Sequence, residues 1–312
     1  MGLNYFDLMK KGLLSIFFVL SLGLNAQWLW DYGGSIGATN YLGDIGGKEK
    51  TRRDFVSDMK LSKTRWNGGI FARYKWRQNI SFKFAFDYLR VEGDDKLSTN
   101  AGRHYRNFNF KNDIFSLTTT AQYFFFTDPD LGNTYRYKNS FRAYVFGGFG
   151  GFYTNPKSRY QGDWVKMRDY FVEGYEYKKI VFGLPVGVGF YFTFNKRNRW
   201  GFEFNYMKTF TDYLDDISGN YPNPTPTDPY TAGLTVRTTE LSTAEQNANI
   251  GAYKSHLTPG SKRGDPTNKD AIVYVTFSYS RVIRGKSSFY RSKNNRFFGK
   301  NKRKVRKIRA KF

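Results

Sequence analysis

The chain has 312 residues, a formal net charge of +24, 40% hydrophobic content, 31 Phe, 24 Tyr, 6 Trp and no Cys. Without Cys there are no disulfides and no lipid-modified cysteine, and with only two His a structural metal site built on imidazole or thiolate is not expected. The charge suggests a nucleic-acid binder, but 13 Lys or Arg and no acid lie between Arg284 and Lys311, so about half of the excess belongs to one terminal tail.

Lys10 and Lys11 precede an apolar run from Gly12 to Leu24, which Asn25, Ala26 and Gln27 follow. Basic region, hydrophobic core and small-residue site in this order predict a secretory signal peptide over residues 1–26, cleaved after Ala26. The run is shorter than the roughly 20 residues of a membrane-spanning helix, and Met9 would serve as well as Met1 for a start. No later stretch is apolar enough for a membrane helix, and the mean hydropathy of −0.62 would ordinarily indicate a soluble protein. A β-barrel escapes that inference, because each strand needs apolar residues on its lipid face only. The 20% aromatic content suits a wall with aromatic girdles.

Residues 27–284 are accordingly expected to form an all-β, transmembrane antiparallel β-barrel of about eight strands. Tyr32 to Tyr41 and Gly69 to Trp76 are the first two. In the third, Phe82, Phe84, Phe86 and Tyr88 alternate with Ser81, Lys83, Ala85 and Asp87, which gives one lipid face and one polar face. Phe108 to Phe126 and Phe141 to Tyr153 follow, the facing of the latter left open. Next, Phe182, Leu184, Val186, Val188, Phe190, Phe192 and Phe194 alternate with Gly183, Pro185, Gly187, Gly189, Tyr191 and Thr193, small residues that suit a crowded lumen. Trp200, Phe202, Phe204 and Tyr206 mark the seventh strand, and Val273, Val275, Phe277 and Tyr279 the eighth, over Ala271 to Val282.

Connections alternate in length. Trp76 to Ile80, Thr127 to Ser140 and Asn195 to Arg199 are short or moderate. Leu42 to Thr64, Gly93 to Asn107, Asn155 to Lys178 and Thr211 to Asp270 are long, the last expected to be irregular and mobile. Short turns belong to the periplasm and long loops to the outside, which puts both termini in the periplasm and gathers Trp76, Phe126, Phe194 and Trp200 at the inner rim. Residues 285–312 form a basic periplasmic C-terminal tail.

An eight-stranded barrel is filled by side chains, so no open pore is expected. Arg73, Lys75, Lys83, Asp87 and Glu203 fall on inward faces, where they form either an ion-pair plug, the preferred reading, or a small polar conduit. His104 and His256 lie in predicted loops outside any nucleophile motif, so no catalysis is expected. Asp212, Asp215 and Asp216, with Thr211 and Ser218, offer clustered oxygens for a calcium ion or, more plainly, turn-capping acids. In the tail, Arg291, Lys293, Arg296, Lys300, Lys302, Arg303, Lys304, Arg306, Lys307, Arg309 and Lys311 make either an electrostatic handle for a partner or a solvated terminus. No cofactor is expected.

The segment GGSIGATNYLGDIGG from Gly33 to Gly47, paired with FTDYLDDISG from Phe210 to Gly219, resembles the PorG family of outer-membrane barrels of the Bacteroidota type IX secretion system. The motifs sit at the exits of strands one and seven, and the likeness extends over nearly the whole mature chain. The resemblance implies a non-enzymatic barrel in outer-membrane lipid that contacts periplasmic ring proteins, a PorK-like lipoprotein and a PorN-like protein, and other translocon components. A small solute-binding or transport barrel and a surface adhesin or receptor acting through its long loops are the alternatives.

Overall fold

The computed structural model describes residues 30–45, 59–133 and 137–283. The signal peptide and the basic tail, with every tail residue named above, lie outside the described residues.

Eight strands run antiparallel: β1 (Trp30–Leu42), β2 (Arg65–Lys75), β3 (Ile80–Asp94), β4 (Asn109–Asp128), β5 (Ser140–Tyr153), β8 (Ile180–Phe194), β9 (Asn198–Thr209) and β10 (Ala271–Ile283). Between β5 and β8 a small hairpin, β6 (Lys157–Tyr160) and β7 (Asp163–Lys166), continues the sheet beyond β4. The neighbours run β3-β2-β1-β10-β9-β8-β5-β4, and pairing of β3 with β4 returns the sheet onto itself. Closure leaves no unpaired edge among these eight, the condition for a β-structure to stand in hydrocarbon.

Facing follows the period of two. Phe84 and Phe86 point outward while Ser81, Lys83 and Asp87 are buried between them. On β8, Phe182, Val186 and Val188 are exposed and Tyr191 and Thr193 buried. The strand whose facing the sequence left open, β5, turns Val145, Phe149 and Tyr153 outward and Tyr144, Phe146 and Phe152 inward. A bulge between Phe124 and Phe126 on β4 keeps both Phe125 and Phe126 on the outside. Outward apolar residues on β4 run from Phe115 to Phe125, about 33 Å of strand and roughly 25 Å along a barrel axis tilted by ~40°, which is the height of a hydrocarbon belt.

At one rim the connections are the short ones between β2 and β3, β4 and β5, and β8 and β9, and there Trp76, Phe126, Phe194 and Trp200 are exposed as the alternation requires. Trp30 and Ile283 pair at this same rim, so the chain enters and leaves the barrel there. The other rim carries the long loops. The loop after β9 departs from the expectation of an irregular segment. It holds three helices, α2 (Pro229–Thr235), α3 (Thr243–Ala248) and α4 (Ile250–Ser255), and packs against α1 (Ala101–Arg106) of the β3–β4 loop. Helices of six or seven residues are too short to show an amphipathic period, but their starts are written in the sequence. The Asp228 side chain accepts from Thr231 N–H ahead of Pro229, and Ser242 and Glu245 form a reciprocal capping box.

Candidate functional site

The lumen is sealed in three layers. Nearest the short-turn rim, the aromatic rings of Phe124, Tyr144, Phe146 and Tyr191 pack together, with the Arg73 and Arg199 guanidinium groups each 4.8 Å from the Tyr191 ring centre. Above them lies a charged layer. Glu203 accepts from Lys83 Nζ at 2.6 Å and from Tyr144 Oη at 2.6 Å, and stands 3.9 Å from Arg73. Level with the rim aromatics rather than above them, Asp31 accepts from Arg73 at 3.2 Å and from Arg199, with Asp31 and Arg199 each near the start of its strand. Asp87 takes a bond from Ser35 Oγ at 3.5 Å. The third layer is apolar. Tyr41, Leu89, Phe110, Ile114, Phe152, Met207 and Ile272 from the wall close around Leu214, Ile217 and Tyr221, which the β9–β10 loop inserts into the barrel mouth.

Of the five lumen residues expected from sequence, Arg73, Lys83, Asp87 and Glu203 are buried in this interior. Lys75 is only half-buried at the short-turn rim and has no ion pair among the described residues, because its position is the last of β2. Asp31 and Arg199 were missed. Asp31 precedes the expected start of β1 and Arg199 was placed in a turn; both strands extend one residue or more past their periodic segments. The cavity beside Lys83, Glu203 and Tyr274 measures about 10 Å³, the room of a single water.

The long-loop rim is closed by a second polar cluster. Arg263 is completely buried, and its Nη1 donates to Glu173 Oε1 at 2.6 Å and to the Asp216 carbonyl at 2.7 Å. Glu173 also accepts from the Ser218 and Gly219 N–H groups. Arg106 forks onto Asp95 at 2.8 and 3.0 Å and donates to the carbonyls of Asp44 and Arg263. Arg237 forks onto Glu240 and reaches Ser158 Oγ and the Arg159 carbonyl. Each arginine thus ties together segments that are distant in sequence, Arg106 and Arg237 through forked bonds and Arg263 through Nη1 alone.

The two motifs that carried the resemblance meet here. Tyr41 Oη lies 2.7 Å from Asp215 Oδ2 and 2.6 Å from Asp270 Oδ1, and accepts from the Asp44 N–H. One phenol has one proton, so it donates to one carboxylate and accepts a proton from the other; the arrangement requires that Asp215 and Asp270 share at least one. Burial pushes both carboxyls well above the ordinary range, and the neighbouring acids push the same way. Asp212 is raised to about 7, chiefly by burial against the bond from Ser218. Asp216 is raised to about 6, burial outweighing Arg263, and accepts from Tyr177 Oη at 2.6 Å.

This disperses the aspartates that the calcium alternative needs, and Asp215 caps its turn by accepting from the Ile217 N–H. Asp215 faces Tyr41 and the Ile217 N–H, while Asp216 faces Tyr177 and Arg263. No group of three or more acidic, His or Cys side chains is placed to hold a metal among the described residues. The alternation of positions in this turn sends neighbouring carboxylates in different directions, so proximity in sequence does not become convergence in space. His104 approaches Glu245 at 4.0 Å near the surface. His256 is buried, its Nδ1 3.2 Å from Tyr221 Oη and its Nε2 2.7 Å from the Gly102 carbonyl. Burial lowers its pKa, so the neutral ring donates from Nε2 and accepts at Nδ1, a structural clamp between α1 and α4.

In sequence, residues 10–232 match a family described as Domain of unknown function (DUF6089). The chain belongs to the DUF6089 family. Curated proteins give this DUF6089 member no sequence match. Among solved structures it is similar to the N-terminal β-barrel domain of Pseudomonas aeruginosa OprF, at 9% identity and a TM-score of 0.32 over 83% of this chain and 100% of that one. It is also similar to Ail, the attachment invasion locus protein of Yersinia pestis, at 9% identity and a TM-score of 0.35 over 82% and 99%. For the outer membrane protein OprG of Pseudomonas aeruginosa the values are 10% and 0.36 over 83% and 97%. The DUF6089 barrel's closure and facing rest on its own strand pairing.

Proposed function

We propose that this protein is a non-enzymatic outer-membrane barrel that anchors a protein secretion assembly of the type IX kind, with its long loops outside and its termini in the periplasm. The observation that carries the reading is the sealed lumen. Aromatic, charged and apolar side chains fill it in turn, and the void beside Glu203 is about 10 Å³. A barrel that passes nothing acts through its rims and its chain ends. Three further features support it. The short turns lie at the rim where Trp30 and Ile283 pair, as periplasmic turns do. The tail that follows Ile283 carries unopposed positive charge suited to an acidic face on a PorK-like lipoprotein, a PorN-like ring protein or another translocon component. The two motifs of the resemblance form one contact through Tyr41 and Asp215.

The test is an affinity pull-down with mass spectrometry from gently solubilised outer membranes, comparing the full chain with a version truncated after Gly285. Ring or translocon proteins recovered with the full chain and lost on truncation identify the tail as the docking element. Their absence from both samples removes the secretion role.

A further inference from the structure

A large cavity lies outside the lumen. It measures about 640 Å³, within the range of small-ligand sites and far larger than a bare anion needs. Its floor is made by Leu42, Tyr206, Lys208 and Ala271. These occupy outward-facing positions at the long-loop ends of β1, β9 and β10, in phase with exposed Ile36, Trp200 and Phe277 lower on the same strands. The walls are α1 and the segment from residue 255 to 269. The cleft therefore opens on the outer wall of the barrel, where its strands leave the apolar belt.

Its lining is basic. Arg103, Arg106, Lys208, Lys262, Arg263 and Lys269 stand against two acids, Asp44 and Asp265. Arg106 and Arg263 are committed to Asp95, Glu173 and Asp216 inside the cap. Lys262 pairs with Asp265 at 3.7 Å. Three cations remain without an ion pair among the described residues. Arg103 Nη1 is buried with no hydrogen-bond partner, and Lys208 and Lys269 donate to the main-chain carbonyls of Lys269 and Pro266. The two acids are bonded within the wall: Asp44 lies near Arg106 and Arg103 and accepts from the Asp265 N–H at 2.7 Å, and Asp265 accepts from Thr267 and Asn268. Neutral polar groups of Asn100, Ser255 and Asn268 complete the wall.

Height identifies the occupant. On β9 the outward residues descend from Lys208 through Tyr206 to Phe204 and Phe202, and Lys208 to Phe204 spans about 13 Å of strand, roughly 10 Å along the axis. Exposed Phe210, just past Lys208, and exposed Phe182 on β8, beyond the Leu184 that pairs with Lys208, carry the apolar wall up to this level, so Lys208 stands at the upper edge of the belt, where its stem lies along the wall and its ammonium reaches the headgroup layer. A basic, sugar-sized cleft that opens sideways at headgroup height meets lipid rather than lumenal solute. We propose that it binds the phosphorylated sugar headgroup of an outer-leaflet lipid, with Arg103, Lys208 and Lys269 holding the phosphate and the neutral polar wall taking sugar hydroxyls. This rests on the membrane residence of the barrel and is independent of the tail, so a failed pull-down leaves it standing.

The experiment uses the full chain folded in detergent, with heat-dependent gel migration reporting barrel folding in every sample, and native mass spectrometry of retained lipid. The probes are a bis-phosphorylated diglucosamine lipid, its dephosphorylated form and water-soluble glucosamine 1-phosphate. The expected result is retention of the phosphorylated lipid, reduced about tenfold or more for the dephosphorylated lipid and for the triple variant Arg103→Gln, Lys208→Gln, Lys269→Gln. A control variant at the opposite rim, Lys196→Gln with Arg197→Gln, retains the lipid as the parent does. Equal retention of both lipids, or an unchanged triple variant that migrates as folded, overturns the proposal. Saturable binding of glucosamine 1-phosphate without lipid retention overturns the lipid assignment and leaves a site for a soluble sugar phosphate.

Discussion

Replacing Glu203 with Gln tests whether the charged layer of the lumen is a structural plug. The Glu203 side chain is 3% exposed and receives Lys83 Nζ and Tyr144 Oη at 2.6 Å each, with Arg73 at 3.9 Å. Around it stand Lys83, Arg73 and Arg199 against Glu203 and Asp31, so removal of one anion leaves three cations facing a single paired carboxylate, with Asp87 the nearest remaining acid group on the same side of Lys83. Lys83 then has no acid within ion-pair distance. Breaking a buried pair by removing one partner costs about 3–5 kcal/mol, because the surviving charge stays desolvated. The Gln carbonyl still accepts from Tyr144, so packing is preserved and the loss is electrostatic. Urea unfolding in lipid vesicles, followed by tryptophan fluorescence, reads the change as a lower midpoint at unchanged slope. Adding Lys83→Met to Glu203→Gln removes the stranded ammonium and recovers most of the loss, since an apolar replacement of both partners is close to neutral. A single-variant loss below about 1 kcal/mol, or no recovery in the double variant, refutes the plug.

Three other outcomes are expected. The cap loosens as pH rises: Asp212 and Asp216 have folded pKa values of about 7 and about 6, above the unfolded value, so the stabilisation of the protonated forms is whole below about pH 4 and is lost as pH climbs through 6 and 7. For Asp216 the shift from 3.8 to about 6 corresponds to about 3 kcal/mol, and hydrogen-exchange protection in residues 211–270, corrected for the base-catalysed intrinsic rate, should fall across this window; Asp216→Asn should flatten the fall, and pH-independent protection in the parent would contradict the assignment. Gly37→Ala should impair assembly, because a Cβ there would lie 1.9 Å from the Val275 carbonyl oxygen, whereas Gly34→Ala, with its nearest contact at 3.5 Å, should insert normally; heat-dependent gel migration separates the two, and equal behaviour would dismiss the close approach as a constraint. Planar-bilayer recordings of the purified barrel should show no conductance, and discrete steps sensitive to Arg73 or Lys83 substitution would restore the conduit.

Alternation with a period of two made the barrel legible in the sequence. Phe82 to Tyr88 and Phe182 to Phe194 declare their facing residue by residue, since each side chain's choice between lipid and lumen depends only on its own position in a pleated strand. The same rule correctly placed Arg73, Lys83, Asp87 and Glu203 inside. It could not tell Lys83 to find Glu203, because the pairing depends on how many residues each strand contributes and on the stagger around a closed sheet, a property of all eight strands together. Nor could it place the neighbouring aspartates, whose meaning rests on partners far along the chain: Asp215 on Tyr41, Asp216 on Tyr177 and Arg263. Local sequence determined that there is a barrel and, outside β5 and the β4 bulge, which way its strand residues face. Only the tertiary structure decided that a long loop folds into helices and corks it, and that a basic cleft opens at the long-loop rim, because both are made by residues that meet only once the wall has closed.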